Sequence, residues 1–441
     1  MRFLSQVEGF RFPYGFLNKQ VTGCGATSLA LEDETMDTVV YAPRISLLRN
    51  KHEQYPNERY EGETLMMFGD TKDHDVAEYL RSHTRRKILC TYDSAKRLKR
   101  LLGIEWQGFL HFVDEAHALL EDSGFKSDVV MKFIDTIKTA EKLCFVTATP
   151  HIDDFLQHIP FLKELPYTQL DWEEKERYKV MRCHSENPVN SALRLVRNYR
   201  RGIYISKTID GKTVEATELV LFLNSVNNLV NIVRQADLSA EDVNIIVADQ
   251  KQNQDVIKLL GEDYAVGRVP LKGERNKRIT LCTSTAYYGC DFWSDSAMTV
   301  VVSKCKGRQH HMTVDVSTQL VQIAGRQRNL ENPFRSEIMF IYDDFNGTER
   351  IDEIMEQKDE KIKLTEQMNA FLNTAPEHLR PAFRRIVAES AKATHYAISY
   401  SYFNDKTDRF EQNDWACLFE RYQARVQYET FRSGVMVLRE L

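Results

Sequence analysis

No window of the sequence approaches the roughly 20 uncharged apolar residues that cross a bilayer, and the opening MRFLSQVEGFRF holds no apolar core of signal-peptide length. The expectation is a cytoplasmic chain with no membrane role. Excess positive charge is missing too: 59 lysines and arginines stand against 64 aspartates and glutamates, a formal charge of −5. Grip on nucleic acid by bulk charge is excluded, so any such site must be a local patch. The eight cysteines, at positions 24, 90, 144, 183, 282, 290, 305 and 417, include no CxxC pair and no Cys/His spacing of the zinc-finger kind. Structural zinc is not expected. Most of these thiols sit in apolar runs such as Leu143-Cys144-Phe145-Val146, where a free cysteine behaves as a small hydrophobe. Low-complexity tracts and repeats of solenoid length are also absent.

What is present is an ordinary globular balance, 42% hydrophobic and 28% charged over 441 residues, enough for two or three domains. From Gln20 to about residue 150, short β-branched or aromatic runs alternate with amphipathic stretches: 37–42, 87–91, 109–113 and 142–146. The rhythm returns at 218–223, 243–247, 278–282, 298–302 and 337–341. Such alternation predicts an α/β fold of two lobes, each a parallel sheet with crossover helices. Residues 1–172 form the first lobe and 217–346 the second. Between them, 173–216 read as a bridging linker with short strands and a hairpin turning at Asp210-Gly211. Residues 347–441 read as a helical C-terminal extension.

The strongest chemical signal is Phe112-Val113-Asp114-Glu115-Ala116-His117, an apolar strand ending in adjacent carboxylates at the rim of a parallel sheet, where such folds bind ligands. Asp114 can hold Mg²⁺ while Glu115 polarises the water that attacks a γ-phosphate. Upstream, Thr22-Gly23-Cys24-Gly25-Ala26-Thr27-Ser28 is a glycine-containing loop leading into a helical run, and its amides could cradle phosphates. Thr27 occupies the place of the Mg²⁺-coordinating hydroxyl of a P-loop. The lysine expected before it, which reaches the β- and γ-phosphates, is Ala26. Three explanations stand open: an engineered replacement, substitution by Lys19 folding back over the phosphates, or a site that binds weakly and hydrolyses slowly. Against the second stands the bland alternative that Lys19 is a solvated surface residue. Thr147-Ala148-Thr149-Pro150 ends a later strand, from which hydroxyls could bond to the Asp114-Glu115 turn. In the second lobe, Gln322-Ile323-Ala324-Gly325-Arg326-Gln327-Arg328 carries two guanidinium forks suited to phosphoryl oxygens. Ahead of it Gly289 permits close backbone approach, and Asp291 could accept a hydrogen bond from a ribose or an arginine.

Taken in order, TGCGATS, YAPRISLLRNK, CTYDS, VDEAH, TATP, LFLNSVNNL, CTSTAYYGCDF and QIAGRQR resemble motifs I, Ia, Ib and II to VI of the superfamily 2 helicases and translocases, over residues 18 to 345. The resemblance implies two RecA-like lobes with ATP and Mg²⁺ between them and single-stranded nucleic acid crossing both. It makes Gly23, Cys24, Gly25, Ala26, Thr27 and Ser28 the triphosphate loop, with Lys19, Gly289 and Asp291 also at the nucleotide. Thr27 and Asp114 would take the metal, Glu115 and Gln322 the water, and Arg326 and Arg328 the γ-phosphate, either arginine serving as the finger. Arg44, Thr91, Asn224, Ser225 and Thr283 fall where the family contacts the nucleic-acid backbone; alone, each reads as a loop-capping polar residue. DNA is favoured over RNA, and the helical tail is a candidate surface for a protein partner. An ATP-driven helicase or translocase is the leading expectation, and a hydrolysis-deficient docking module the alternative.

Overall fold

Strands that are apolar on both faces need cover on both faces, which crossover helices on a parallel sheet provide. The computed structural model of the chain describes residues 3–431 apart from 59, 125, 150–157, 174–175, 307–309, 345–349 and 394–399. Pro150 of the TATP segment, Arg308 of a basic cluster and the 346/347 boundary lie outside the described residues. The chain divides into two units: Met1–Trp172 with Thr348–Arg425, and Glu173–Gly347 with Val426–Leu441.

In the first unit, β1 (Gly15–Asn18), β2 (Thr38–Ala42), β3 (Thr64–Met67), β4 (Lys87–Thr91), β5 (Leu110–Val113), β6 (Leu143–Thr147) and β7 (Tyr167–Gln169) form one sheet in the order β3-β4-β2-β5-β6-β1-β7. Every pairing is parallel. The four predicted runs are β2, β4, β5 and β6. The pattern missed β1 because Gly15-Phe16-Leu17-Asn18 is short, opens on glycine and ends on a polar residue. Its glycine is required: φ is +128°, and a Cβ there would lie 2.3 Å from the carbonyl oxygen of Pro166, which accepts from Phe16 N–H at 2.7 Å. That close approach seats β7 beside β1.

In the second unit, β8 (Lys179–His184) is followed by the hairpin β9 (Ile205–Ile209) and β10 (Lys212–Ala216). Then come β11 (Glu218–Phe222), β12 (Val243–Ile246), β13 (Ile279–Cys282), β14 (Ala297–Ser303) and β15 (Glu337–Tyr342). The six-stranded sheet runs β12-β13-β11-β14-β15-β8, parallel throughout. Asp210 and Gly211 both have positive φ, 49° and 77°, the conformation a two-residue hairpin turn demands. Residues 173–216, expected as a linker, are largely built into this unit. β8 pairs along its whole length with β15, and the Pro188–Arg200 helix buries Ala192, Leu193, Val196 and Tyr199 in the unit's core.

The C-terminal region is helical at Ile351–Thr374, Arg380–Ala393 and Asp414–Phe431, and adds an antiparallel hairpin of β16 (Ser401–Asn404) and β17 (Arg409–Gln412) that periodicity did not disclose. Up to Arg425 it belongs to the first unit. Trp415 and Phe419 join that unit's core, and the buried Asn413 amide donates to Ser123 O (2.9 Å) and Ser127 Oγ (2.8 Å). No helix among the described residues is long and apolar enough to cross a membrane.

One titratable group of the first unit's core is a histidine. His111 of β5 is fully buried. Its Nε2 faces the Trp106 carbonyl at 2.8 Å, so that nitrogen carries the proton, and Nδ1 accepts from the Tyr41 hydroxyl at 3.0 Å. Burial lowers its pKa to about 4, against a weaker opposing hydrogen bond to Trp106. A histidine kept neutral in the fold but free to charge in the unfolded chain costs stability as pH falls from about 6.5 to 4, by ~3 kcal/mol in all. Melting curves across that window should show the wild type losing stability on acidification and His111→Gln losing clearly less.

Candidate active site

The neighbouring strands β5, β6 and β1 end on the same rim, and each delivers part of one cluster. β5 runs into Asp114 and Glu115, both 4% exposed. The chain turns sharply there, with Glu115 at φ +49°, a left-handed conformation that costs a non-glycine residue about 1 kcal/mol. Glu115 N–H donates to Asp114 Oδ1 at 3.0 Å and Ala116 N–H to the Val146 carbonyl of β6 at 3.0 Å, so the turn is locked to the next strand.

β1 extends past Asn18 into Lys19, whose amide donates to the Thr147 carbonyl at 2.8 Å. Its side chain folds inward: Nζ lies 3.7 Å from Asp114 Oδ1 and 3.8 Å from Glu115 Oε1, and the residue is 5% exposed. The solvated-surface alternative for Lys19 does not hold. The loop after it places Gly23 and Gly25 at positive φ, 71° and 79°, and Gly25 ends it as the cap of the Ala26–Glu32 helix. Ala26 is buried and leaves no basic group there. Thr27, on the first turn, donates from Oγ1 to Asp114 Oδ2 at 2.7 Å. Ser28 is half-buried beside Tyr55. Cys24 is buried, and burial raises its thiol pKa despite the nearby Lys19 charge. Lys19, Thr27, Asp114 and Glu115 thus form one contiguous group.

The second unit assembles its predicted residues separately. Phe292 N–H donates to Arg326 O (2.9 Å) and Arg328 N–H to Phe292 O (2.8 Å), which zips the Asp291 loop to the arginine segment. Gln322 is fully buried and Arg326 nearly so. Arg326 gives Nε to Gln322 O at 2.8 Å and Nη2 to Gln322 Oε1 at 2.6 Å. Arg328 gives Nε to Asp291 Oδ1 at 2.6 Å while its side chain stays 20% exposed. Gly289, at φ +66°, supplies the bend before this loop.

No protein-family model and no curated protein matches the sequence. Solved structures do match. *Saccharomyces cerevisiae* Dbp5 bound to RNA and ADP BeF3 aligns with a TM-score of 0.50 and 14% identity over 79% of this chain and 83% of that one. The chain shares the fold of that structure. Its two parallel sheets correspond to tandem RecA-like lobes. Further matches are *Mycobacterium smegmatis* helicase Lhr bound to ssDNA and AMP-PNP (TM-score 0.45, 12% identity, 75% of this chain and 44% of that one) and *Escherichia coli* DEAH/RHA helicase HrpB (0.42, 15%, 75% and 40%).

Within this helicase-like fold, the residues expected at the nucleic-acid backbone are engaged locally. Asn224 accepts from Ser284 N–H (3.1 Å) and donates to His311 O (2.8 Å), tying together the loops after β11, β13 and β14. Ser225 caps the Val226–Ala236 helix. The hydroxyls of Thr91 and Thr283 donate to Ser94 Oγ (3.1 Å) and Thr285 Oγ1 (3.3 Å). Arginines of the first unit are likewise paired: Arg86 with Asp37 and Glu105, Arg97 and Arg100 with Asp73.

Two contributors escaped the sequence reading. His117 is fully buried, with Nδ1 2.7 Å from Thr147 Oγ1 and 3.6 Å from Glu115 Oε2, so it bridges the carboxylate turn to the TATP segment. Trp172 Nε1–H donates to the Lys19 carbonyl at 2.8 Å. The DEAH spelling could have pointed to the first; nothing local announces the second.

Arg44 forms a bidentate pair with Asp122, at 2.7 Å for Nη2–Oδ1. Asp122 is 2% exposed. Burial would raise its carboxyl, but the charge and hydrogen bonds of Arg44, aided by Lys126, hold it below its ordinary range. Breaking such a pair strands a buried charge. Arg44→Ala should therefore cost about 3 kcal/mol in urea denaturation, with part of the loss recovered in Arg44→Ala/Asp122→Ala. A residue serving only as a surface phosphate contact would leave stability unchanged.

Proposed function

We propose that the chain is an ATP-driven nucleic-acid translocase or helicase whose phosphate-binding ammonium comes from Lys19 rather than from the position held by Ala26. The observation that carries this reading is the inward Lys19 side chain, within 4 Å of both carboxylates. A lysine without buried partners would keep its charged head in water. Against Asp114 and Glu115 it keeps two adjacent buried negative charges compatible, and it stands where an arriving polyphosphate could draw it away from them.

The donor set fits Mg²⁺ brought in by a nucleotide. Among the described residues no group of three or more His, Cys, Asp or Glu could cage a metal alone, but Mg²⁺ usually takes one or two protein oxygens together with substrate phosphates. Asp114 and Thr27 would hold it, and once bound it would neutralise charge on the β- and γ-phosphates. Glu115 orients the attacking water and Lys19 steadies the phosphoryl oxygens. His117 and Thr147 hold the carboxylate turn in register with β6.

In the second unit the residues suited to a phosphate are Gln322 and one guanidinium. Arg326 is spent on Gln322, whereas Arg328 is the more accessible and is bonded through Nε to one carboxylate. Arg328 is accordingly the finger and Arg326 the brace. Single-stranded nucleic acid is the polymer that stimulates turnover. The expected preference for DNA has no support, since the Dbp5 structure carries RNA.

The test is ATP turnover with and without single-stranded DNA or RNA. Lys19→Ala and Glu115→Gln should each lower kcat at least ~100-fold, the scale on which one electrostatic contact to a developing charge acts. Arg328→Ala should cost more in kcat than in KM. Ala26→Lys should not rescue Lys19→Ala, because position 26 is buried. Turnover that survives in Lys19→Ala overturns the substitute lysine. A wild-type chain that binds nucleic acid yet never hydrolyses ATP favours the docking-module reading.

A further inference from the structure

Among the described residues, two lysines are buried, Lys19 and Lys87. Lys19 stands beside the carboxylates. Lys87 has no part in the chemistry above, yet it is the more deeply buried, fully out of solvent. It opens β4 opposite Thr38 of β2. Its own backbone is pinned by Tyr79, whose hydroxyl accepts from Lys87 N–H at 2.9 Å and donates toward Lys87 O at 3.1 Å.

From this fixed base the side chain reaches under the turn that joins the Ala26–Glu32 helix to β2. Nζ donates to Ala30 O (3.1 Å), Asp33 O (2.6 Å), Met36 O (2.8 Å) and Thr38 Oγ1 (3.1 Å). An ammonium has three protons, so four acceptors leave it fully committed. One of the carbonyls lies in the last turn of the helix and two lie in the turn beyond it. The Ala30 carbonyl is one that a helix end leaves without an intrahelical donor, and a positive charge there also opposes the negative end of the helix dipole. Burial lowers the Lys87 pKa to about 8, with Asp33 and Asp37 opposing the shift, so the group is mostly charged at neutral pH.

The Ala26–Glu32 helix spans only two turns. Fixing one end of so short a rod fixes the other, and the other end carries Thr27, whose hydroxyl meets Asp114. We infer that Lys87 is a positioning residue for nucleotide binding: it holds the helix so that Thr27 and the loop ahead of it stay in register with the carboxylate turn. This rests on the nucleotide reading above. Lys87 touches no substrate; it acts through the helix it anchors.

The test compares the full-length wild type with Lys87→Met, close in length and apolar, and with Lys87→Gln, which keeps two donors and loses the charge. Affinity for a fluorescent ATP analogue, KM and kcat for ATP, and melting temperature are measured on each. Lys87→Met should raise Kd and KM about tenfold or more, the effect of losing hydrogen bonds to a charged donor, with kcat within about threefold of wild type. Lys87→Gln should fall between the two. If Lys87→Met does not fold, Lys87→Gln decides alone. A lower melting temperature with unchanged Kd and KM, or a fall in kcat alone, reduces Lys87 to a structural residue and overturns the inference. A wild type that neither binds nor hydrolyses ATP overturns the nucleotide reading and this inference together. A wild type that binds ATP, with variants that bind it equally well, overturns this inference alone.

Discussion

Two carboxylates cannot share a dry corner unless something offsets their repulsion, and in the first unit that something is the ammonium of Lys19. Each of the three charges would be costly to bury alone. Together they leave one negative charge in excess, partly absorbed by the Thr27 hydroxyl on Asp114. The left-handed turn at Glu115 and the inward course of Lys19 are explained by this balance. Remove the lysine and the turn would lose the cation that stands beside both of its carboxylates.

The sheet makes the balance possible. Lys19, the Asp114-Glu115 turn and Thr147 come from segments far apart in sequence, yet β1, β5 and β6 finish side by side with β6 in the middle. Backbone hydrogen bonds from Lys19 N–H to Thr147 O and from Ala116 N–H to Val146 O fasten the outer two segments to the central one. Parallel strands with helical crossovers gather such ends on one rim, so the active group is a product of strand order more than of any local motif.

That explains what could be read in advance. The two sheets were legible because most of their strands are continuous apolar runs, and VDEAH was legible because an apolar strand followed by adjacent carboxylates is unusual in any sequence. β1 was hidden by its brevity and its glycine, β3 and β7 by their short, mixed composition, and β8 was visible but was taken for part of a bridge because an edge strand looks the same inside a sheet or beside it. The role of position 19 stayed open because a lysine's destination depends on what lies across the sheet. Asn224 and Arg44 show the reverse difficulty. Their residue types suit phosphate contacts, but the loops and the buried Asp122 around them already use the same donors.

The first unit is assembled from two stretches of chain, Met1–Trp172 and Thr348–Arg425, separated by residues 173–347 of the second. Trp415 and Phe419 lie in its core and Asn413 caps its interior at Ser123 and Ser127. During synthesis the seven-stranded sheet therefore emerges long before Trp415 and Phe419, which join its core only after most of the second unit has been made. Long-range closure of this kind is slow and exposes sticky intermediates. The lobe begun first is completed only after most of the other has been made.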